Sequence, residues 1–349
     1  MQYQLIALIA LTTITLPINA YQLTPGGFIK VDAKIATGTL PFKSIVDGNP
    51  GTPKSNHSQT QFNAQESRFN LNYEHEDIRG FAEIDFVGSQ QGNTLVSNSY
   101  SPRLRHAFIE YRDIILGQTW STLVNTSAFP ESANLGGPLV GEAMVRQTQA
   151  RLVLGPWQLA LENPALLTRN NDSHITEKPE SALPDFIVKY NWQNTSGNLS
   201  IAGLGRSLSA TPDSHTAAFG ISIAGQLKTT ITDDIRFQLH YGNLGRYIGT
   251  AAAADVFNGQ VEHTFGGMLA LRHFWADKTR SSFYMGYLAS QEEGNRRGHM
   301  AINLFHDPHP YLTLGVELGH YMVRDKSNSL RDAYHGDSSY LHFSALLKF

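Results

Sequence analysis

The sequence contains no cysteine in 349 residues. That removes disulfide scaffolds, thiol nucleophiles and thiolate metal sites, and it fits a chain exported from a reducing compartment. Charge is also scarce. Only 16% of residues are Asp, Glu, Lys or Arg, and 27 basic against 30 acidic residues leave a net charge of −3. A balance of that kind carries no footprint for nucleic acid. Beyond residue 20 no run of 18 or more apolar residues exists, so no transmembrane helix is expected in the mature chain. If it lives in a membrane it must cross as a closed barrel, the one other form that satisfies every backbone polar group in lipid. Internal repeats, low-complexity runs and interdomain linkers are absent as well. Catalytic patterns are equally scarce. The 14 histidines show no metal-ligand spacing and there is no Gly-x-Ser-x-Gly. His342 and Ser344 share a strand face, but it is the polar one, and two residues along a strand span about 7 Å, too far for a direct hydrogen bond. No enzymatic activity, metal or cofactor is expected.

The one apolar run that is present lies at the N-terminus. Residues 5–20 read LIALIALTTITLPINA. An apolar stretch, a polar break and a small residue at Ala20 predict a secretory signal over 1–20, cleaved to give a chain from Tyr21. A basic segment before the run is missing. The competing reading, a membrane anchor helix, is interrupted by Thr12, Thr13, Thr15, Pro17 and Asn19.

From there the hydrophobic period is 2 almost everywhere. Ile29, Val31, Ala33 and Ile35 alternate with Lys30, Asp32 and Lys34; Ile235, Phe237, Leu239 and Tyr241 alternate with Arg236, Gln238 and His240. Such segments are half-polar strands, not helices. Sixteen are predicted, near 27–36, 65–75, 78–87, 103–112, 113–119, 145–154, 156–163, 184–192, 197–206, 217–227, 233–242, 260–275, 280–289, 299–306, 311–323 and 339–349. The gaps between them alternate long and short. Long gaps fall at 37–64, 88–102, 120–144, 164–183, 207–216, 243–259, 290–298 and 324–338. A soluble β-sandwich has no reason to sort its loops; an outer-membrane barrel has short periplasmic turns and longer external loops. The predicted fold is therefore all-β, a single transmembrane antiparallel β-barrel of about 16 strands over 21–349, both termini periplasmic. Trp157, Trp192, Trp275, Tyr311 and Phe349 all fall at short-turn ends, as rings at a bilayer interface do, whereas Trp120 falls at the opposite end of its strand.

The terminal strand, YLHFSALLKF at 340–349, places Leu341, Phe343, Ala345, Leu347 and Phe349 on one face. It is read as the strand that closes the barrel against the first. A terminal aromatic on such a strand resembles the C-terminal signature of bacterial outer-membrane barrels, which implies recognition of Phe349 by the barrel-assembly machinery. The surroundings so implied are outer-membrane lipid and lipopolysaccharide.

Sixteen strands leave room for a water channel, and its polar-face residues then decide what passes. Those faces carry Lys30, Arg68, Arg103, Arg105, Arg151, Arg206, Arg236 and Arg272, with Arg146 opening the sixth strand. Asp32, Glu83, Asp85, Asp185 and Glu317 oppose them. Guanidinium groups in a narrow aqueous passage favour small carboxylates; facing Arg and Glu rows also stiffen a wall, and the two roles are compatible. Arg280 is placed at a strand end away from the lumen. Residues 120–144 are too apolar for an exposed loop, with Leu123, Val124, Phe129, Leu135, Leu139 and Val140 against two charges, Glu131 and Glu142. Either the segment folds inward as a constriction loop, with Phe129, Glu131 and Leu135 at its tip, or it packs on a neighbouring subunit.

RLRHAFIEYRDIILGQTWSTL…SAFPE (103–131), VRQTQARL (145–152), ALENP (160–164), LGRYIG (244–249) and LRHFWADKTRSSFYMGY (271–287) together resemble the DcaP-like trimeric outer-membrane channels of Gram-negative bacteria. The resemblance runs in order from about residue 27 to 349. It implies a sixteen-stranded homotrimeric porin passing small anions, especially dicarboxylates, and points by position to Arg103, Arg105, Arg146, Arg151 and Arg272 on the pore wall. Many members carry a helical coiled-coil segment before the barrel; here the mature chain reaches its first strand within about seven residues, so trimerisation through such a segment is not supported. The function expected is an outer-membrane porin, a passive diffusion channel for small hydrophilic solutes that favours anions. The alternative is a barrel used as a surface receptor or adhesin. A third reading, a periplasmic binding protein, conflicts with the alternation of loop lengths.

Overall fold

A computed structural model describes residues 21–40, 55–91, 97, 99–135, 140–169, 176–178, 183–211, 214–248, 253–327 and 332–349. The expected signal segment 1–20, and Leu139 of the third long connection, lie outside the described residues.

Alternating sequence produces strands that pair antiparallel with their neighbours all the way round. In chain order the wall consists of β1 (Gln22–Gly38), β2 (His57–Asn63 continued by Arg68–His75), β3 (Ile78–Asp85), β4 (Arg103–Tyr111), β5 (Ile114–Trp120), β6 (Arg146–Leu154), β7 (Trp157–Glu162) and β8 (Asp185–Asn194). It continues through β9 (Gly197–Thr211), β10 (Ser214–Lys228), β11 (Asp234–Gly242), β12 (Thr264–Ala276), β13 (Thr279–Ser290), β14 (Arg296–His309), β15 (Leu312–Asp325) and β16 (Tyr334–Lys348). The two halves of β2 pair successive stretches of one β1 edge, Asp32–Gly38 and Gln22–Phe28, so the seventeen paired segments make sixteen wall positions. Closure comes from β16, which pairs β1 from Phe28↔Lys348 to Gly38↔Ser338. Among the described residues no helix is long and apolar enough to cross a membrane; the crossing elements are strands.

Two long connections predicted from sequence are shorter than expected. β9 and β10 run on to Thr211 and Ser214 and pair there, because the small and hydroxylated residues of 207–216 continue the ladder as readily as they form a loop. Residues 57–63 likewise belong to the wall rather than to a loop over 37–64. At the opposite end the connections stay tight. Glu76 and Arg112 take left-handed φ of 50° and 53°, and Gly155 60°, as two-residue hairpins demand. The long connections build a small sheet of their own from Leu166–Arg169, Thr176–Lys178, Val256–Phe257 and Gln260–Val261.

The distribution of polarity is inverted relative to a water-soluble domain. Ile29, Leu71, Ile109, Leu161, Ile201, Leu239, Leu269, Ile302 and Leu318 stand exposed on the outside, whereas Lys30, Asp32, Glu66, Asp185, Gln238 and Glu317 are buried inside. A continuous apolar belt of that extent is tolerable only against lipid. Rings mark its two rims. At the short-turn end Tyr21 stacks on Tyr73 at 5.8 Å, Trp157 meets Tyr190 at 4.8 Å, and Trp192, Trp275, Tyr311 and Phe349 are exposed. Phe219, Tyr241, Phe265 and Tyr287 form the other rim. Trp120 belongs to neither, since its ring packs between His106 and Phe129 on the inner face.

Candidate functional site

Between β5 and β6 the chain follows the inner, polar face of the wall, and each wall strand it passes supplies a partner. Thr122 N donates to the Glu162 carboxylate of β7 at 2.6 Å, and Lys189 of β8 donates to Val124 O at 2.7 Å. The Asn125 side chain donates to Asn198 and Ser200 of β9 at 3.0 Å each and to Ala224 O of β10 at 3.1 Å, while its oxygen accepts from Ser127 N to cap the short turn Thr126–Ala128. Arg236 of β11 donates to Phe129 O at 2.6 Å. Arg272 of β12 and Arg280 of β13 reach the Glu131 carboxylate at 3.6 and 2.7 Å. Asn303 of β14 donates to Glu131 O at 2.7 Å, and Glu317 of β15 accepts from Ala133 N at 2.9 Å. Glu66, in the break between the halves of β2, accepts from Leu135 N at 3.0 Å, and Lys34 of β1 donates to Asn134 at 3.1 Å.

The return limb lies against β12 and β13 because glycines leave room for it. A Cβ on Gly286 would sit 2.0 Å from Val140 O. Gly141 itself adopts φ +77°, which a side chain would strain. Leu123, Val124, Ala128, Val140 and Ala143 are buried, and four of the five pack in one cluster with inward Ile187, Ala202, Leu204, Leu288 and Tyr321. The segment is thus held by apolar burial along its length and by buried carboxylates and guanidinium groups at its tip.

Facing that tip, Arg68 of β2 and Arg105 of β4 line a cavity of about 140 Å³ with Trp120, Phe129, Asn134 and Glu142. Arg105 pairs with Glu83 at 2.6 Å and Asp85 at 2.8 Å; Arg103 grips Asp85 with two bonds of 2.7 and 3.0 Å. Arg68 has no carboxylate partner among the described residues, its Nε has no acceptor, and its guanidinium lies 5.2 Å from the Phe28 ring. Glu142, in the connection rather than in a strand, is 2% exposed, and burial pushes its carboxyl up to about 8. Burial thus favours its neutral form, and the cationic groups lining the cavity are Arg68, which has no carboxylate partner among the described residues, and the carboxylate-paired Arg105.

Other residues singled out from sequence fall elsewhere. Arg151 of β6 bonds to Gln149 and to Trp120 O. Arg236 pairs with Asp234 at 2.7 Å, and Arg272 with the same carboxylate. Lys30 does not reach the opening: it is buried between Asp32 and Glu66. Arg206 does not either, because Asp185, Asp255, Asn243 and Ala165 O enclose it under the long connections. In both cases an inward side chain has been covered by a neighbouring segment, which alternation cannot reveal. Arg146 lies with its guanidinium 4.4 Å over Trp120 and lines a cleft above the cavity. Arg280 corrects a placement. It is not away from the lumen but pairs with Glu131 and with Asp307 at 2.6 Å. Glu66, Lys34, Asn134, Asn303 and Glu317 as loop anchors went unrecognised, although the inward parity of Lys34, Asn303 and Glu317 was available.

No protein-family model matches the sequence, and no curated protein matches it. Solved structures do. The outer membrane channel DcaP of Acinetobacter baumannii superimposes with a TM-score of 0.79 at 18% identity, over 94% of this chain and 97% of that one. This chain has the fold of that channel, a closed antiparallel β-barrel of sixteen wall positions. An anion-selective porin from Comamonas acidovorans follows at TM-score 0.60 and 11% identity, over 94% and 100% of the two chains. A loop-deletion variant of OmpT from Vibrio cholerae gives 0.57 and 11%, over 94% and 99%. With its lipid-facing belt and two aromatic rims, and a fold shared with outer-membrane proteins, the barrel belongs in the Gram-negative outer membrane.

Proposed function

We propose that the protein is a diffusion channel for small hydrophilic solutes that favours anions such as dicarboxylates, working as a homotrimer with both termini in the periplasm. The observation that carries this reading is the cavity between the inner loop and the wall. Two guanidinium groups, Arg68 and Arg105, line it opposite side chains of 129–135, and burial raises the pKa of the one carboxyl that lines it, Glu142, favouring its neutral form. A charge acts on a passing ion only where the passage is tight, since screening at physiological salt has a length of about 8 Å. The loop narrows the space in front of the two arginines to this cavity, which supports the reading. The anion-selective porin among the structural neighbours supports the direction of the preference.

The test is single-channel recording in a planar bilayer under a KCl gradient, with succinate as competing solute. The wild type should conduct with a reversal potential on the anion side, and succinate should reduce the chloride current. Arg68→Ala and Arg105→Ala should each move the reversal potential toward cations. Absence of conductance would end the channel reading; a cation-selective wild type would end the anion reading alone.

A further inference from the structure

Above the cavity just described the wall is incomplete. β4 and β5 pair only from Ala107↔Gln118 to Tyr111↔Ile114, so β4 rises from Arg103 to His106 without a ladder on that side. The Gln118 side chain partly bridges the gap by donating to Leu104 O at 2.9 Å. Beside it opens a cleft of about 330 Å³ lined by Arg103, Arg146, Arg246, Leu104, Met144 and Leu167.

Three guanidinium groups converge there from three parts of the chain, and they are short of acids. Arg103 shares Asp85 with Arg105. Arg246 donates to Asn163 O at 2.7 Å, and its carboxylate contact, Asp185, is 3.8 Å away and already held by Arg206. Arg146 has neither a carboxylate nor a hydrogen-bond acceptor among the described residues; its ring contact with Trp120 satisfies none of its donors.

We propose that this cleft binds a phosphate monoester, at a site separate from the proposed anion passage. A carboxylate offers two oxygens in one plane and a single charge, too little to neutralise three guanidinium groups. A phosphate monoester offers three terminal oxygens and close to two charges, enough to be shared among forks arriving from different directions. The apolar side of the cleft, Leu104, Met144 and Leu167, takes the organic remainder of the ligand. The same phosphate chemistry can come from a soluble phosphorylated solute at the mouth or from a lipid headgroup reaching in from the leaflet, since Leu104 is half exposed on the outer face.

The test is calorimetric titration of the purified full chain in detergent with inorganic phosphate, a sugar monophosphate, succinate, bisphosphorylated lipid A and dephosphorylated lipid A. Saturable binding of at least one phosphate-bearing probe is expected, tighter than succinate. It should weaken by about tenfold in Arg146→Gln and in Arg246→Gln, the scale of one lost charge-assisted hydrogen bond. Arg79→Gln, at the other end of the barrel, should bind as the wild type does. Arg146→Lys keeps the charge but not the fork and should fall between; it guards against a glutamine variant that fails to close its barrel. Binding of both soluble probes supports the site with a solute as its source. Binding of lipid A alone, lost on dephosphorylation, supports it with a headgroup as its source. No saturable binding, equal binding of succinate, or indifference to Arg146→Gln and Arg246→Gln would each overturn the proposal. None of these readouts passes through conductance, so the channel reading stands or falls separately.

Discussion

Glu131 occupies a position that the sequence presents only as one of two acids in an apolar stretch. In the structure its carboxylate is shared by Arg272 and Arg280, two strands of wall meeting at one loop residue. Glu131→Gln removes one negative charge next to the proposed passage while leaving each arginine a second partner, Asp234 or Asp307. One unit charge at about 8 Å in water contributes about 0.5 kcal/mol, cut to about 0.2 by salt screening; anion and cation shift in opposite directions, so their permeability ratio should rise by about twofold, read from the reversal potential. An unchanged or lowered ratio would show that Glu131 does not face the ion path. Glu142 permits a pH test. Its ordinary value is 4.5 and burial raises it to about 8. Between those limits the unfolded chain gives up the proton while the native loop keeps it, so stability falls as pH rises through that window, by up to about 1.4 kcal/mol per unit, and is flat on either side. Protease resistance of the 120–145 segment should therefore decline from pH 5 to pH 8 in the wild type and stay level in Glu142→Gln. A wild type with a flat profile would mean that water or an ion already satisfies the carboxyl.

Among the elements, the strands were the most legible. Period-2 alternation in 27–36 or 233–242 marks inside and outside without reference to any partner, and all sixteen wall positions follow from it. Where the alternation carried polar residues on both faces, as at 57–63, the strand went unread although β1 pairs with it. The inner loop was legible as an apolar segment needing burial, but its path was not, because the partners that hold it come from nearly every strand and only the closed barrel brings them together. Arg280 and Glu131 are 149 residues apart. The same nonlocality hid the fates of Lys30 and Arg206. Gly286 is the residue through which this element can be tested without touching charge. A valine there places its Cβ on Val140 O, and overpacking of that kind costs about 1–3 kcal/mol. The wall can keep its ladder hydrogen bonds, so the strain should be relieved by displacing the return limb. Gly286→Val should then assemble as a heat-modifiable barrel with higher single-channel conductance and weaker ion selectivity. A normal barrel with unchanged conductance would show that the return limb does not set the width of the passage.

At the scale of the whole molecule, the asymmetry between the two ends of the barrel is the property from which orientation follows. One end closes with tight hairpins such as Glu76–Asp77 and Asp277–Lys278 and carries the exposed rings Trp157, Trp192, Trp275 and Tyr311. The other carries 163–184 and 243–263, with their own small sheet, and the connections near Glu292 and Lys326. Outer-membrane barrels keep their short turns on the periplasmic side and their longer loops outside. The proposed orientation thus puts Asp77 and Lys278 in the periplasm and Glu292 and Lys326 on the cell surface. The absence of cysteine makes this directly measurable, because a single introduced thiol is the sole target of a maleimide. All four side chains are exposed, so reactivity reports sidedness rather than burial. In intact cells, Glu292→Cys and Lys326→Cys should label with a membrane-impermeant maleimide, and Asp77→Cys and Lys278→Cys should label only after the outer membrane is breached. The reagent must be too large for the passage, or periplasmic thiols would react through it. The reverse pattern would turn the barrel over and place the arginine cleft beside the inner leaflet, removing bisphosphorylated lipid A as a source of its ligand while leaving soluble phosphates in play. Labelling of all four before breaching would mean that the reagent had crossed, and a larger conjugate would then decide the orientation.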